Sequence, residues 1–386
     1  MTTFGDYQAP PFWRRPFFRR SAAQIAVVVG LLAVLSFFIG NASANLAKTS
    51  TTLGFGFIWS RASFELGEGI TGFVAGDSVL AAFWAGIVNT LLVSLASIVT
   101  ATVLGIAVGI LRLSSNPLSR LLSSGYIELM RNIPLILQML FWYAVITRSL
   151  PTPRKALSPI EGLYLTNRGV YFSVIQMPPS AFWALVALSV LLLATLAARA
   201  TSRERTGSLG RLGDFRLAGA AVVAMLAVVL TTGSVDVPEI AGLNFKGGAS
   251  ITPEFTAVFL GLSIFSAAFI AENVRAGILG VSAGQKEAAA SLGLRDGQTM
   301  RLVVLPQALK ISVPPIASQY LDIVKNSSLA VAIAYPEIMR VATVVISEVG
   351  RSIEVIAIIM AVYLSISLAI SALMNAYNKA NLAKGT

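Results

Sequence analysis

The amino-acid types that most often carry out chemistry are partly missing from this sequence. It contains no histidine and no cysteine, which excludes histidine bases, cysteine nucleophiles, disulfides and the zinc sites built from these ligands. We therefore expect no metal site, no catalytic residue and no cofactor bound by this chain. What remains is binding by charged, amide and hydroxyl side chains.

Lys325 is the first candidate for such binding, because it lies in a predicted membrane span and is followed by Asn326, Ser327 and Ser328. Counted from Ile311 at about 1.5 Å per residue, it lies roughly 21 Å along its helix. An ionisable residue inside a membrane span usually faces the bundle interior or a wet cavity, and a cation beside hydrogen-bonding groups could hold a carboxylate. The alternative is a structural ion pair with another helix.

Glu128, Arg131 and Gln138 form a second candidate set. The first two residues are one helical turn apart, a spacing at which opposite charges can neutralise each other. Pro134 follows them and could expose polar backbone, so the same pair could instead line a substrate pathway. Gln138 could bind a substrate or hydrogen-bond to another helix.

A polar stretch at 282–310 follows one of the apolar runs. Ser282 and Gln285 have the spacing of a capping box, which predicts a first helix over 283–292. Gly293 lies where that helix would end in the left-handed conformation.

The first helix carries three alanines at 288–290, so the surface of another protein could approach its backbone closely. Glu287 adds a charge on the rim, and a docking role fits such a face better than packing in the helix's own domain. A second helix is expected to be capped by Asp296, to run toward Leu305 and to stop at Pro306, since proline lacks a donor and clashes inside a helix.

The elements that would position these groups are membrane helices. The chain of 386 residues is 55% apolar and only 12% charged, against about 25% charged in soluble domains. Eight apolar runs approach or exceed the roughly 20 residues that cross a bilayer as a helix. They cover 22–40, 83–111, 126–146, 181–198, 217–231, 255–279, 311–334 and 355–374. The sequence therefore predicts an all-α integral membrane protein with about eight transmembrane helices.

Basic residues predict the orientation of these helices. Four arginines between positions 14 and 20 precede the first run and favour an N-terminus on the inside. That run is longer than the roughly 7 to 15 residues of a signal-peptide core, so we expect it to be retained despite the cleavage-like Ala42-Ser43-Ala44. With an N-terminus on the inside, eight successive spans put both termini in the cytoplasm. The net charge of +11 then indicates contact with anionic membrane lipid rather than nucleic acid.

The polar stretch resembles the EAA motif of ABC importer permeases, EAA-x3-G-x9-I-x-L-P. The matching residues are Glu287, Ala288, Ala289, Gly293, Leu305 and Pro306. The one departure is Val303 in place of isoleucine, a loss of one methylene. In that family the loop docks in a groove of the ATP-hydrolysing subunit, and the resemblance implies the same here.

The resemblance also implies partners. They are a second homologous permease, two ATPase subunits that bind ATP and Mg, and a periplasmic amino-acid-binding protein. This chain is not expected to hydrolyse ATP, because it contains no Gly-Lys dipeptide and so lacks the phosphate-binding G-x-x-x-x-G-K-[ST] loop.

Three further segments, at 89–92, 128–138 and 325–329, resemble those of polar amino acid permeases of the histidine and glutamine type. That sub-family usually has a five-helix core, expected here in the runs that begin at 83, 126, 255, 311 and 355. The leading helix, the long insertion and Asn167-Arg168-Gly169 look most like the larger permease of general L-amino acid importers of the Aap and Bzt type. The resemblance implies uptake of L-amino acids from the periplasm across the bacterial inner membrane.

This interpretation divides the chain into seven segments. They are a cytoplasmic tail at 1–21, a leading helix at 22–40, a periplasmic segment at 41–82, the first part of the permease core at 83–147, an insertion with periplasmic loops and two helices at 148–253, the second part of the core at 254–378 with its coupling loop at 282–310, and a cytoplasmic tail at 379–386. The main alternative is an ion-coupled secondary amino acid transporter, which would need mid-span carboxylates that are scarce here.

Overall fold

A computed structural model describes residues 16–48, 54–201 and 207–382 of the chain. The chain divides into two compact units, residues 1–58 and 59–386. In the first unit, helix α1 covers Pro16–Lys48 and contains an apolar stretch, Gln24–Asn41, long enough to cross a membrane. This helix contains the predicted leading helix at 22–40. Most of the predicted tail at 1–21 lies outside the described residues.

Eleven more helices are described in the second unit. They are α2 (Val79–Leu111), α3 (Pro117–Asn132), α4 (Leu135–Ser149), α5 (Pro179–Thr201), α6 (Gly207–Thr232), α7 (Pro253–Leu279), α8 (Ala283–Ser291), α9 (Asp296–Thr299), α10 (Leu305–Asn326), α11 (Ile338–Val349) and α12 (Ser352–Leu382). Helix α7 lies at the centre and packs against α2, α3, α4 and α10. The core consists of buried apolar side chains of these helices, among them Val93, Met139, Leu262 and Ile323.

Helices α2 and α7 approach each other closely because glycines face the contact. A Cβ atom at Gly105 would lie 2.6 Å from a side-chain carbon of Ile270, and one at Gly109 would lie 2.7 Å from the carbonyl oxygen of Ala271. Only glycine allows this separation.

Eight short strands form the part of the chain around the helices α5 and α6. They are β1 (Leu157–Ile160), β2 (Leu163–Thr166), β3 (Gly169–Phe172), β4 (Val174–Gln176), β5 (Ser234–Asp236), β6 (Glu239–Ala241), β7 (Asn244–Lys246) and β8 (Ala249–Ile251). They pair as an antiparallel sheet in the order β1-β2-β3-β8 and as two further antiparallel pairs, β4-β5 and β6-β7. The prediction of an all-α protein missed these strands.

The strands and helix α8 lie at opposite ends of α7, because β8 leads into its first residue and α8 follows its last. We call these two ends of the bundle the strand end and the loop end. Helix α2 runs in the same direction as α7, since Arg112, just after α2, contacts Glu272 near the end of α7.

Among the described helices, four are long and apolar enough to cross a membrane, or up to six if each of two bent helix pairs counts as one span. The predicted span at 126–146 consists of two helices, α3 and α4, which meet at an angle of 103°. Pro134 lies at this break, where it removes a backbone donor. The second bent pair joins α10 to α11, with a 3-10 segment at Ser327–Ile333 and a left-handed Ala334 between them. Helix α11 was not predicted.

Candidate functional site

The loop that follows α7 contains the predicted first helix, observed as α8. Its end is a Schellman motif, in which the N–H of Leu294 donates to the carbonyl of Ala289 at 3.1 Å and the N–H of Gly293 donates to that of Ala290 at 2.9 Å. The motif requires a left-handed residue after the helix. Gly293 provides it with φ of +77°, as the sequence predicted.

Three local predictions in this loop are wrong. The side chain of Ser282 makes no capping hydrogen bond, so the predicted capping box with Gln285 does not form. Asp296 is the first residue of α9 rather than its cap, and the backbone N–H of Arg295 donates to the side chain of Gln298 instead. Pro306 does not end a helix but lies in the first turn of α10, where a missing N–H is tolerated.

A π-helical turn, Met300–Val304, joins α9 to α10. Pro306 therefore lies directly after a change in the backbone hydrogen-bonding pattern. This change explains why the helix continues past the proline. Val304 packs with Val281 and Ala308 in a small apolar cluster. The side chain of Gln307 also donates to that of Gln285 at 3.2 Å. These contacts hold the loop against the loop end of α10.

The exposed face of the loop is the feature that a partner could contact. Glu287 and Ala288 are exposed, as are Leu305 and Pro306, whereas Ala289 is 3% exposed and faces the chain itself. Leu292, which the sequence analysis did not single out, is 82% exposed. A leucine next to the left-handed glycine of such a motif was the signal that could have identified it.

A charged cluster lies just inside the loop end. The carboxylate of Glu272 forms ion pairs with Arg112 and Arg275, and Nε of Arg112 also donates to Ser124 at 3.2 Å. The cluster therefore links the end of α2 with α3 and α7. These two ion pairs hold together the helices that lead into the loop.

Glu128 and Arg131 do not form the predicted pair. The guanidinium of Arg131 lies 5.1 Å from the ring centre of Phe269, a cation–π contact. The side chain of Glu128 is exposed. Both residues lie on α3 before the sharp break, so the break has placed them on a different helix from Gln138.

Gln138 is buried and stabilises the break itself. Its Nε2 donates to the carbonyls of Met130 at 3.0 Å and Ile133 at 3.1 Å, which are among the carbonyls left free where α3 ends. This geometry favours the helix-to-helix role over the substrate role that the sequence left open.

Lys325 and its neighbours lie at the last turn of α10 and the start of the 3-10 segment. The side chain of Lys325 is exposed. The hydroxyl of Ser327 is buried and donates to the carbonyl of Val324 at 2.7 Å, and that of Ser328 donates to the carbonyl of Lys325 at 2.7 Å. The two hydroxyls are thus used locally, and Asn326 is half-buried.

Comparisons with known proteins identify the family. Residues 215–382 match the binding-protein-dependent transport system inner membrane component family. YhdX of Escherichia coli strain K12, provisionally named as an amino-acid ABC transporter permease, is 42% identical over 370 residues that cover 94% of each chain. This chain belongs to the amino-acid ABC transporter permeases. The permease is therefore a membrane transport subunit, and family membership favours it over the ion-coupled alternative.

Two further relatives match this permease over most of its length. The general L-amino acid transport system permease protein AapQ of Rhizobium johnstonii is 38% identical, covering 94% of this chain and 92% of its own. The glutamate/glutamine/aspartate/asparagine transport system permease protein BztB of Rhodobacter capsulatus is 35% identical, covering 94% and 93%. The resemblance to larger permeases of the Aap and Bzt type is confirmed.

Proposed function

We propose that this permease is one of two homologous membrane subunits of an importer that takes up L-amino acids from the periplasm. A separate pair of ATPase subunits would bind ATP and Mg and supply the energy, and a periplasmic binding protein would deliver the substrate. The proposal of broad L-amino acid specificity is supported by the names of AapQ and BztB.

The observation that carries the proposal is the shape of the loop at 282–310. A short helix with exposed Glu287 and Ala288 ends in a fixed left-handed turn, beside an almost fully exposed Leu292. An exposed leucine on a rigid turn is suited to enter a pocket of a partner, because burying a leucine side chain stabilises a complex by about 1.5–3 kcal/mol. We propose that Leu292 joins Glu287, Ala288, Gly293, Leu305 and Pro306 in coupling to the ATPase, while the buried Ala289 packs the helix onto the permease.

Charged side chains on helix surfaces support the proposal that a second permease subunit is present. Lys325, Glu128 and Arg131 are exposed on helices of the isolated permease. Such charges are costly against lipid and usually face protein or a water-filled cavity. We propose that they face the partner permease or the translocation path between the two subunits.

The proposed orientation follows the sequence. The loop end of the bundle would face the cytoplasm, as would both termini, and the strand end would face the periplasm. The domain scheme then places the strands and the helices α5 and α6 in the insertion at 148–253, and the five-helix core would comprise α2, the α3–α4 pair, α7, α10 and α12. Two of the eight proposed spans, in α5 and α6, have apolar stretches shorter than 18 residues.

Reconstitution tests this function directly. The permease, its homologous partner, the ATPase and the binding protein would be placed in proteoliposomes, and uptake of labelled L-amino acids would be measured with unlabelled competitors. We expect uptake that requires ATP and both permeases. Uptake driven by an ion gradient without ATP would overturn the proposal, and full uptake without the second permease would remove the heteromeric part of it.

A further inference from the structure

The segment before α2 forms a loop that is closed at its base and reaches into the bundle. Backbone hydrogen bonds join Ala62 to Asp77 at 2.8 Å and Ser60 to Val79 at 3.0 Å. The tip of this loop contacts α2 well below its start, because the side chain of Asn89 donates to the carbonyl of Glu68 at 3.2 Å. Asn89 lies ten residues into the helix, or about 15 Å along it.

A cavity of about 290 Å³ lies where this tip meets the helices at the strand end. Its polar lining comes from four separate parts of the chain, namely Glu68, Asn89, Tyr335 and the pair Ser250 and Thr252. At about 30 Å³ per water molecule, the volume corresponds to roughly nine or ten waters. The cavity is therefore large enough for a small organic solute.

The polar groups around the cavity are fixed by hydrogen bonds to the backbone and to each other. The amide of Asn89 also donates to the carbonyl of Pro336 at 2.9 Å, and the hydroxyl of Tyr335 donates to the carbonyl of Asn89 at 3.1 Å. Thr252 caps α7 by accepting from the N–H of Phe255 at 3.1 Å, and its hydroxyl donates to the carboxylate of Glu68. The side chains of Asn89, Tyr335, Thr252 and Glu68 are thus held in place by hydrogen bonds.

A cation would offset the cost of placing the charge of Glu68 in this cavity. Glu68 is half-buried, and burial, with a smaller contribution from Glu254 nearby, raises the pKa of its carboxyl group because it disfavours the charged form. In the described part of the permease, no lysine or arginine forms an ion pair with Glu68.

A second observation points to an occupant. An adjoining cavity of about 170 Å³ shares Gly67, Glu68 and Gly69 with the first and is lined by Thr71. The hydroxyl of Thr71 is buried, and within the described residues it has no hydrogen-bond partner. Buried polar atoms normally have a partner, so an unsatisfied one indicates a missing water or ligand.

We propose that this cavity is a binding site for a protonated amino group, with the Glu68 carboxylate as its counter-charge and the side chains of Asn89, Tyr335 and Thr252 fixing the walls. The proposal rests on the proposed function, under which the site would receive the ammonium group of an amino acid on the entry side of the pathway. Its counter-charge, Glu68, lies far along the chain from Lys325.

The test uses equilibrium binding to the purified permease pair in detergent, without ATP or binding protein. L-alanine is compared with L-lactate, which has a hydroxyl group in place of the ammonium group, at constant sodium and ionic strength. The readout is the ligand concentration at half-maximal thermal stabilisation. We expect L-alanine, but not L-lactate, to stabilise the wild-type pair.

Variants of the segment identify the counter-charge. Glu68→Gln keeps an acceptor for Thr252 but removes the charge, and we expect the L-alanine midpoint to rise about tenfold, the factor that corresponds to about 1.4 kcal/mol. Glu68→Asp keeps the charge and should stay within about threefold of the wild type. Glu65→Gln is the matched control, because Glu65 is an exposed carboxylate three residues away, and its midpoint should be unchanged.

The possible outcomes separate this site from the proposed function. Equal midpoints for wild type and Glu68→Gln, or equal stabilisation by L-alanine and L-lactate, would overturn the site while ATP-dependent uptake by the reconstituted importer would still support the function. Absence of amino acid uptake with a Glu68-dependent midpoint would support the site and overturn the function. If Glu68→Gln does not fold, the comparison of L-alanine with L-lactate on the wild type decides.

Discussion

Replacement of Gly293 by alanine is the sharpest test of the coupling role proposed for the loop at 282–310. The residue has φ of +77°, and no atom lies within 4 Å of the position that an added Cβ would occupy. The cost of alanine therefore comes from the backbone conformation alone and not from a clash, which sets it at roughly 1 kcal/mol. Since a tenfold change in an equilibrium constant corresponds to about 1.4 kcal/mol, this is a factor of about five.

The expected result is an approximately fivefold weaker capture of the ATPase by the permease pair, because the Schellman turn that directs Leu292 is populated less. The assay is a titration of the purified ATPase against the immobilised permease pair in detergent. Gly293→Asn should recover most of the affinity, because asparagine tolerates the left-handed conformation.

Gly297→Ala is the matched control for this prediction. Gly297 lies in the same loop with equally open space at its Cβ position, but its φ is not positive. We expect it to bind the ATPase as the wild type does. If both alanine variants lose affinity equally, or neither does, the role assigned to the left-handed turn is refuted.

Three further predictions concern other parts of the permease. Lys325→Met should reduce uptake by the reconstituted importer about tenfold with normal assembly, since the charge but not the length is lost. Glu272→Gln leaves the paired arginines, including Arg112, without a counter-charge. It should lower the free energy of unfolding of the purified permease by about 1–3 kcal/mol, which is measured as a lower thermal midpoint. Gly109→Ala places a methyl group against the backbone of Ala271 and should destabilise the α2–α7 contact by about 1–3 kcal/mol in the same assay.

Each of these has a control in the same chain. Lys310→Met removes an exposed charge at the other end of α10, Glu239→Gln removes an exposed carboxylate from β6, and Gly125→Ala adds a methyl group where nothing lies within 4 Å. A Lys325 variant with wild-type uptake kinetics would return that residue to a structural role. Thermal midpoints of the Glu272 and Gly109 variants that match those of their controls would contradict the packing argument.

The end of α8 could be predicted because its signal is local. It depends on Gly293 and its immediate neighbours, so glycine after an alanine-rich stretch was sufficient to predict the left-handed end. The capping box at Ser282, the cap at Asp296 and the helix end at Pro306 were predicted wrongly. The prolines were not predictable in the same way. Pro134 and Pro306 have the same covalent restriction, yet the first lies at a bend of 103° and the second in the first turn of a continuing helix.

The outcome at each proline depends on long-range contacts. At Pro134 the buried amide of Gln138 satisfies carbonyls at the end of α3, whereas at Pro306 the change is absorbed by a π-helical turn. The cavity around Glu68 is harder still to predict from the sequence, because it brings together residues 68, 89, 252 and 335 through hydrogen bonds between distant parts of the chain. Its three- or four-residue neighbouring strands are also too short for a clear alternating pattern.

The pairing of β4 with β5 has a consequence for how such permeases can differ in length. Gln176 and Ser234 are partners in this ladder, so the chain leaves and returns at points separated by about one interstrand spacing, near 4.8 Å. The helices α5 and α6 between them pack mainly on each other. This helical hairpin could therefore be lengthened or replaced during evolution without changing the register of the flanking strands. If it were deleted, a two-residue turn could join the two strands directly.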